Sequence, residues 1–185
     1  MNLINDLQWR HACKGMNGDK VSQEKVDRIL EAINLTPTSL GMQAFKVLVI
    51  ENEQLKQQIY DQACPQQPIT ACSHLLVFAP YTEISEEYLD SYFELIKRKR
   101  NPGQEWCNKY RAKIQGFMEK NRDNVKNWLA HQVYIALGFA CAAGQPATAN
   151  NDETRMPTNV ARREGRVRRE LTLFMILSPY GICIF

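Results

Sequence analysis

One long helical pattern constrains this chain more than any other feature. Between residues 123 and 143, Val125, Leu129, Val133, Ala136, Leu137 and Ala140 recur on a helical period. Gly138, Ala140, Ala142 and Ala143 make its later part small-sided, so another backbone can come close. The pattern predicts a helix that is central or lies at a subunit contact, although an ordinary core helix satisfies the same period. Its most apolar part, from Val133 to Gly144, is too short to span a bilayer. No membrane partner is expected.

The remaining segments fall around this helix. Residues 2–10 read as a short helix. Ser22 is placed to cap the next one, in which Val26, Ile29, Leu30 and Ile33 form a buried stripe. Pro37 ends that element. Phe45 to Glu51 reads as a buried strand, and His74 to Tyr81 as a second. Between them Asn52 can cap a helix carrying Leu55, Ile59 and Ala63. Residues 84–100 are helical, with Tyr88, Tyr92, Leu95 and Ile96 on one face, and Asn101-Pro102-Gly103 stops the helix. Residues 104–120 are helical again, with Tyr110, Ile114, Phe117 and Met118 apolar. Strand-like runs follow at Leu171 to Leu177 and Gly181 to Phe185.

The 185 residues suffice for one well-buried core and not for two ordinary domains. A formal net charge of +3 is too small to imply a nucleic-acid partner. The N-terminal residues lack the basic start and apolar run of a signal peptide, so a cytoplasmic location is the default. The 6 cysteines form no Cys-x-x-Cys pair, and 3 histidines add no zinc spacing. Free thiols and no metal are expected.

No dinucleotide fingerprint, phosphate loop, nucleophile elbow or metal-binding helix motif occurs. An enzyme built this way would take its reactivity from a cofactor. Two regions have matching chemistry. Arg10 and Lys14 are fixed cations close in sequence, able to pair with a phosphate or to place positive charge beside a ring, and equally able to be solvated surface cations. The loop 37–43 offers the hydroxyls of Thr38 and Ser39 and the amide of Gln43, and Gly41 lets the backbone approach a ligand. A capped helix-to-strand connection uses the same residue types.

Four stretches, in order, carry a resemblance. They are Arg10-His-Ala-Cys-Lys14, Leu35-Thr-Pro-Thr-Ser-Leu-Gly-Met-Gln-Ala-Phe-Lys-Val, Ser73-His-Leu-Leu-Val-Phe and Trp128-Leu-Ala-His-Gln-Val-Tyr-Ile-Ala-Leu-Gly. Together they resemble the nitroreductase family of FMN-dependent NAD(P)H oxidoreductases. The resemblance implies an α+β fold, a mainly antiparallel sheet flanked by helices, in an intertwined homodimer with FMN at the subunit interface. By the same resemblance Arg10, with His11 in the same motif, lies near the ribityl phosphate. Lys14 lies near the pyrimidine edge, where its charge stabilises the reduced flavin anion and gives it the catalytic role. Pro37, Thr38, Ser39, Gly41 and Gln43 form the loop supplied by the second subunit. Gln66 and Gln67 resemble the amide-bearing segment that reads the flavin ring, and Phe117 is placed to cover it as a substrate lid. NADH or NADPH is the implied reductant, and a nitroaromatic, a quinone or a related small molecule the acceptor.

Ala12 and Ala44 depart from the family pattern, and the tail departs further. Lysine is absent after Lys126, while 6 arginines fall between Arg155 and Arg169. The expected division is therefore a nitroreductase-like domain over 1–144 and an atypical arginine-rich tail over 145–185, divergent or frame-altered, which leaves the family fold incomplete at its C-terminus. Two other readings follow: a non-enzymatic family product with impaired flavin binding, and a basic tail that contacts nucleic acid. The second is disfavoured, since most charge runs are solvated faces.

Overall fold

A computed structural model describes residues 19–144, 173–178 and 181–184, with the single positions 4 and 16. Of the expected helix at 2–10 only position 4 is described, and it is helical; the arginine cluster at 155–169 lies outside the described residues. In chain order the elements are α1 Gln23–Asn34, β1 Phe45–Ile50, α2 Glu53–Gln62, α3 Gln67–Ala71, β2 Leu75–Pro80, α4 Glu86–Arg100, α5 Gln104–Lys120, α6 Val125–Ala143, β3 Leu173–Ser178 and β4 Gly181–Ile184. Single 3-10 turns lie at Ser39–Gly41 and Arg122–Asn124.

The fold is arranged about β2. Leu75, Leu76, Val77 and Phe78 are all buried, as a continuous apolar run demands when both faces of a strand are covered. Leu76 and Phe78 join Ile29 and Ile33 of α1 and Val133, Ala136, Leu137 and Ala140 of α6. Leu75 and Val77 join Cys64, Ile69 and Cys72 on the other side, around α3. The sheet order is β1-β2-β3-β4, with β1 antiparallel to β2, β2 parallel to β3 and β3 antiparallel to β4. This is the expected α+β architecture with a mainly antiparallel sheet. The strand-like runs near 171–177 and 181–185 form β3 and β4, so the sheet continues into the tail.

Helix α6 is central, as its pattern predicts. Leu129, Val133, Ala136 and Ala140 are fully buried. Leu129 also reaches a second cluster, with Met42, Ala44, Leu89, Phe93, Ile96, Cys107 and Ile114, where α4 and α5 pack. Asn101, with φ 44° and ψ 55°, closes α4 in the left-handed conformation. Arg111 then joins α5 to α4 through Glu86 and Asp90, at 2.5 Å each.

Four local expectations are corrected. β1 is not fully buried: Leu48 is 49% and Val49 37% exposed while Phe45 and Val47 pack on the core, and among the described residues β1 is the edge of the sheet. Leu95 does not share the buried face of α4, which is formed by Leu89, Phe93 and Ile96. In α2, Asn52 caps as expected, its Oδ1 accepting from the Leu55 N–H at 2.9 Å, but Leu55 is exposed and Lys56 is buried. The Lys56 Nζ donates to the Cys72 carbonyl at 2.6 Å and pairs with Glu53 at 2.9 Å, tying α2 to the end of α3. Ser22 occupies the N-cap of α1 without a side-chain capping bond.

Candidate functional site

The loop 37–43 leaves α1 and enters β1 in a conformation that most residues resist. Leu40, Gly41 and Gln43 all have positive φ, at 56°, 64° and 50°. For Leu40 and Gln43 this costs on the order of 1–3 kcal/mol each unless the surroundings impose it. Gly41 adopts it freely.

The surroundings do impose it. The hydroxyls of Tyr92 and Tyr110 both donate to the Leu40 carbonyl, at 2.9 and 3.0 Å. The Tyr88 hydroxyl donates to the Met42 carbonyl. These rings come from α4 and α5. From α6, Gln132 Oε1 accepts the Ser39 N–H at 2.8 Å, while its Nε2 donates to the Trp128 carbonyl at 3.0 Å. Within the loop, Thr38 Oγ1 accepts the Gln43 N–H at 2.9 Å, and Gln43 Nε2 donates to the Asn34 carbonyl at 2.5 Å.

Burial, with the neighbouring Tyr81, pushes the Tyr88 phenol up to about 12. Burial, with the neighbouring Tyr110, does the same to Tyr92. Both hydroxyls therefore keep their protons and remain donors across the physiological range.

The expected site residues divide between two places. Thr38, Ser39, Gly41 and Gln43 lie in the locked loop, where Pro37, Ser39 and Gly41 are exposed. Thr38 uses its hydroxyl, and Gln43 its amide nitrogen, to hold the loop itself. Gln66 and Gln67 are exposed at the N-terminus of α3. Helix α3 covers one face of β2 and α6 the other, so the helix that begins at these amides and the helix that holds the loop through Gln132 lie on opposite faces of that strand. Phe117 is partly buried and tilted at 54° against Trp128, with ring centroids 5.2 Å apart. Arg10, His11 and Lys14 lie outside the described residues.

The outer side of α6 is apolar and open. Tyr134, Ile135 and Phe139 are 38%, 42% and 39% exposed and lie within the two turns after Gln132. Among the described residues no group of acidic, cysteine or histidine side chains is placed to hold a metal. Among them no helix is long and apolar enough to cross a membrane.

The sequence assigns Gln132 and the three tyrosine hydroxyls no site role. Gln132 had a signal: it lies three residues after Leu129 and next to Val133, on the phase of α6 that is buried. A polar group there has to find a partner. The tyrosines had none beyond their apolar face, since nothing local shows where a hydroxyl ends.

The fold is shared with proteins of known structure. A nitroreductase-like protein of Streptococcus mutans superposes with a TM-score of 0.67 at 14% identity, covering 76% of this chain and 68% of that one. A protein of Exiguobacterium sibiricum, described as a nitroreductase and solved in complex with FMN, superposes with a TM-score of 0.66 at 20% identity, covering 77% and 69%. In sequence, the major NAD(P)H-flavin oxidoreductase of Aliivibrio fischeri is 31% identical over 163 residues, which is 83% of this chain and 73% of that relative. A relative from Staphylococcus haemolyticus is 29% identical over 143 residues, and the chain spans 65% of its length. The model of the nitroreductase family matches residues 7–161. The chain belongs to the nitroreductase family.

Proposed function

We propose that the chain is an FMN-dependent oxidoreductase that works as a homodimer and passes electrons from NADH or NADPH to a small acceptor. The observation that carries this reading is the bond from the Ser39 N–H to Gln132. It fastens the rigid loop to α6 just where that helix turns an apolar, exposed face outward. A second copy seated on that face would lie beside the loop. Gln66 and Gln67, on the other side of β2 in one chain, would then belong to the opposite half of a shared site.

The donor set suits a flavin. Ser39 offers an exposed hydroxyl, and Gln43, with its nitrogen engaged, offers its carbonyl oxygen. Bound there, FMN would supply two-electron chemistry, taking hydride from the nicotinamide and giving electrons to a nitroaromatic, a quinone or a related acceptor. Arg10 and His11 hold the phosphate end, and Lys14 sets a fixed positive charge at the pyrimidine edge. Pro37, Thr38, Ser39, Gly41 and Gln43 of one copy face the ring held by the other. Gln66 and Gln67 bond its polar edge, and Phe117 borders the approach of the acceptor. The cell compartment proposed is the cytoplasm. The division at residue 144 is supported by the loss of lysine and the rise of arginine beyond it.

The absorption spectrum of the purified full chain tests this directly. The expected result is a yellow protein, or one that turns yellow on reconstitution with FMN, and that oxidises NADH or NADPH when an acceptor is added. A colourless chain that cannot be reconstituted would overturn it. That outcome would favour a non-enzymatic family product, a reading supported by the same composition break.

A further inference from the structure

The tyrosines and Gln132 make no claim on the ligand themselves, yet they hold everything in the loop that does. Tyr92 and Tyr110 converge on one carbonyl, that of Leu40, from two different helices. Tyr88 holds the carbonyl two residues on. Both carbonyls lie within the stretch where two non-glycine residues have positive φ. Tyr110 is itself stacked on Trp106, at 4.9 Å and 28°, and lies edge-on to Phe93 at 6.2 Å. Tyr92 lies edge-on to the same Phe93 at 5.3 Å. These contacts set the directions of the two hydroxyls. Gln132 fastens the far side of the turn at Ser39.

We infer that Tyr92 and Tyr110, with Tyr88 and Gln132, are positioning residues that hold loop 37–43 in its left-handed form, ready for the cofactor of a second copy. The cofactor part of this rests on the function proposed above; the clamp itself does not. The α4–α5 pair thereby becomes part of the site without touching the ligand. Its packing governs how well the loop is formed before anything binds, and preorganisation of that kind strengthens binding without adding a contact.

The test uses the full chain and the double variant Tyr92→Phe/Tyr110→Phe, with each single variant alongside. The changes keep both rings and remove only the donors. Two measurements are made. Amide hydrogen exchange at Ser39 and Gln43 reads the loop, because both N–H groups are bonded in the clamped form. Titration with FMN, followed by quenching of flavin fluorescence, reads the site. The double variant is expected to exchange both amides faster and to bind FMN about tenfold more weakly, the size set by two lost hydrogen bonds. Adding Leu40→Asn, which tolerates a positive φ, should recover part of both effects; a loss of general packing would not be rescued this way.

Unchanged exchange in the double variant overturns the clamp. Faster exchange with unchanged FMN affinity overturns its role toward the cofactor. A wild-type chain that takes up no FMN overturns the function proposed above, and the exchange data then decide the clamp alone.

Discussion

Gln132 is a polar side chain within a helix face that is otherwise apolar, and it is only 5% exposed. Both ends of its amide are satisfied, one by the Ser39 N–H and one by the Trp128 carbonyl. Replacing it with leucine keeps the volume and strands the Ser39 N–H. The expected loss is about 1–3 kcal/mol, read as a lower denaturation midpoint with an unchanged slope. The tyrosines make a second prediction, about pH. Tyr88 and Tyr92 are held near 12 in the folded chain, above their ordinary value of 10.0. Below pH 10 both states keep the proton, and the contribution is complete. Between 10 and 12 the unfolded chain loses protons that the folded chain retains, so stability falls as pH rises. Thermal melts from pH 9 to 12 should show this fall, and Tyr88→Phe/Tyr92→Phe should flatten it. At this scale sequence and structure part company for a simple reason. Thr38, Ser39 and Gln43 could be named as polar loop residues, but Thr38 and Gln43 use their polar atoms to hold the loop, and that depends on turns no local pattern encodes.

Helix α6 divides its surface by function. Leu129, Val133, Ala136 and Ala140 are buried against the sheet and the neighbouring helices, and Tyr134, Ile135 and Phe139 point away. Its period was plain in the sequence because buried and exposed sides are both regular. An apolar outer stripe on a helix of this kind is a surface waiting for a partner. If α6 carries the proposed dimer contact, Ile135→Asp together with Phe139→Asp leaves the helix formed and gives a monomer where the unaltered chain sediments as a dimer, with circular dichroism as the control. Helix α2 gives a smaller test. Asn52→Ala removes the cap on the Leu55 N–H and should cost about 1 kcal/mol in chemical denaturation. The strand β1 was harder to read. Its run of Phe, Val, Leu and Ile looks like an inner strand, yet its position at the sheet edge leaves Leu48 and Val49 open. Strand order is a property of the whole sheet, and an apolar run does not carry it.

At the scale of the molecule the sheet joins the two parts that composition separates. Leu75, Leu76, Val77 and Phe78 of β2 are in register with Leu173, Phe174, Met175 and Ile176 of β3. A chain ending at Gly144 would lose β3 and β4 and open the edge of β2 that pairs with β3, beside Leu75, Leu76, Val77 and Phe78, which are buried in the 185-residue chain. Such a chain is expected to aggregate on size exclusion and to melt without a sharp transition, while the full chain melts cooperatively. The fold class was legible because the four family stretches all fall before residue 144, and the three among the described residues lie on the loop, β2 and α6. The place of β3 beside β2 was not, since a parallel neighbour arrives by a long crossover and leaves no local mark. That parallel pairing also bears on how the protein is born. Synthesis, at about 5–20 residues per second, brings β2 out of the ribosome well before β3 exists. For that interval an apolar strand waits with one side unzipped, so the yield of active protein should depend on growth temperature and on whatever shields nascent chains.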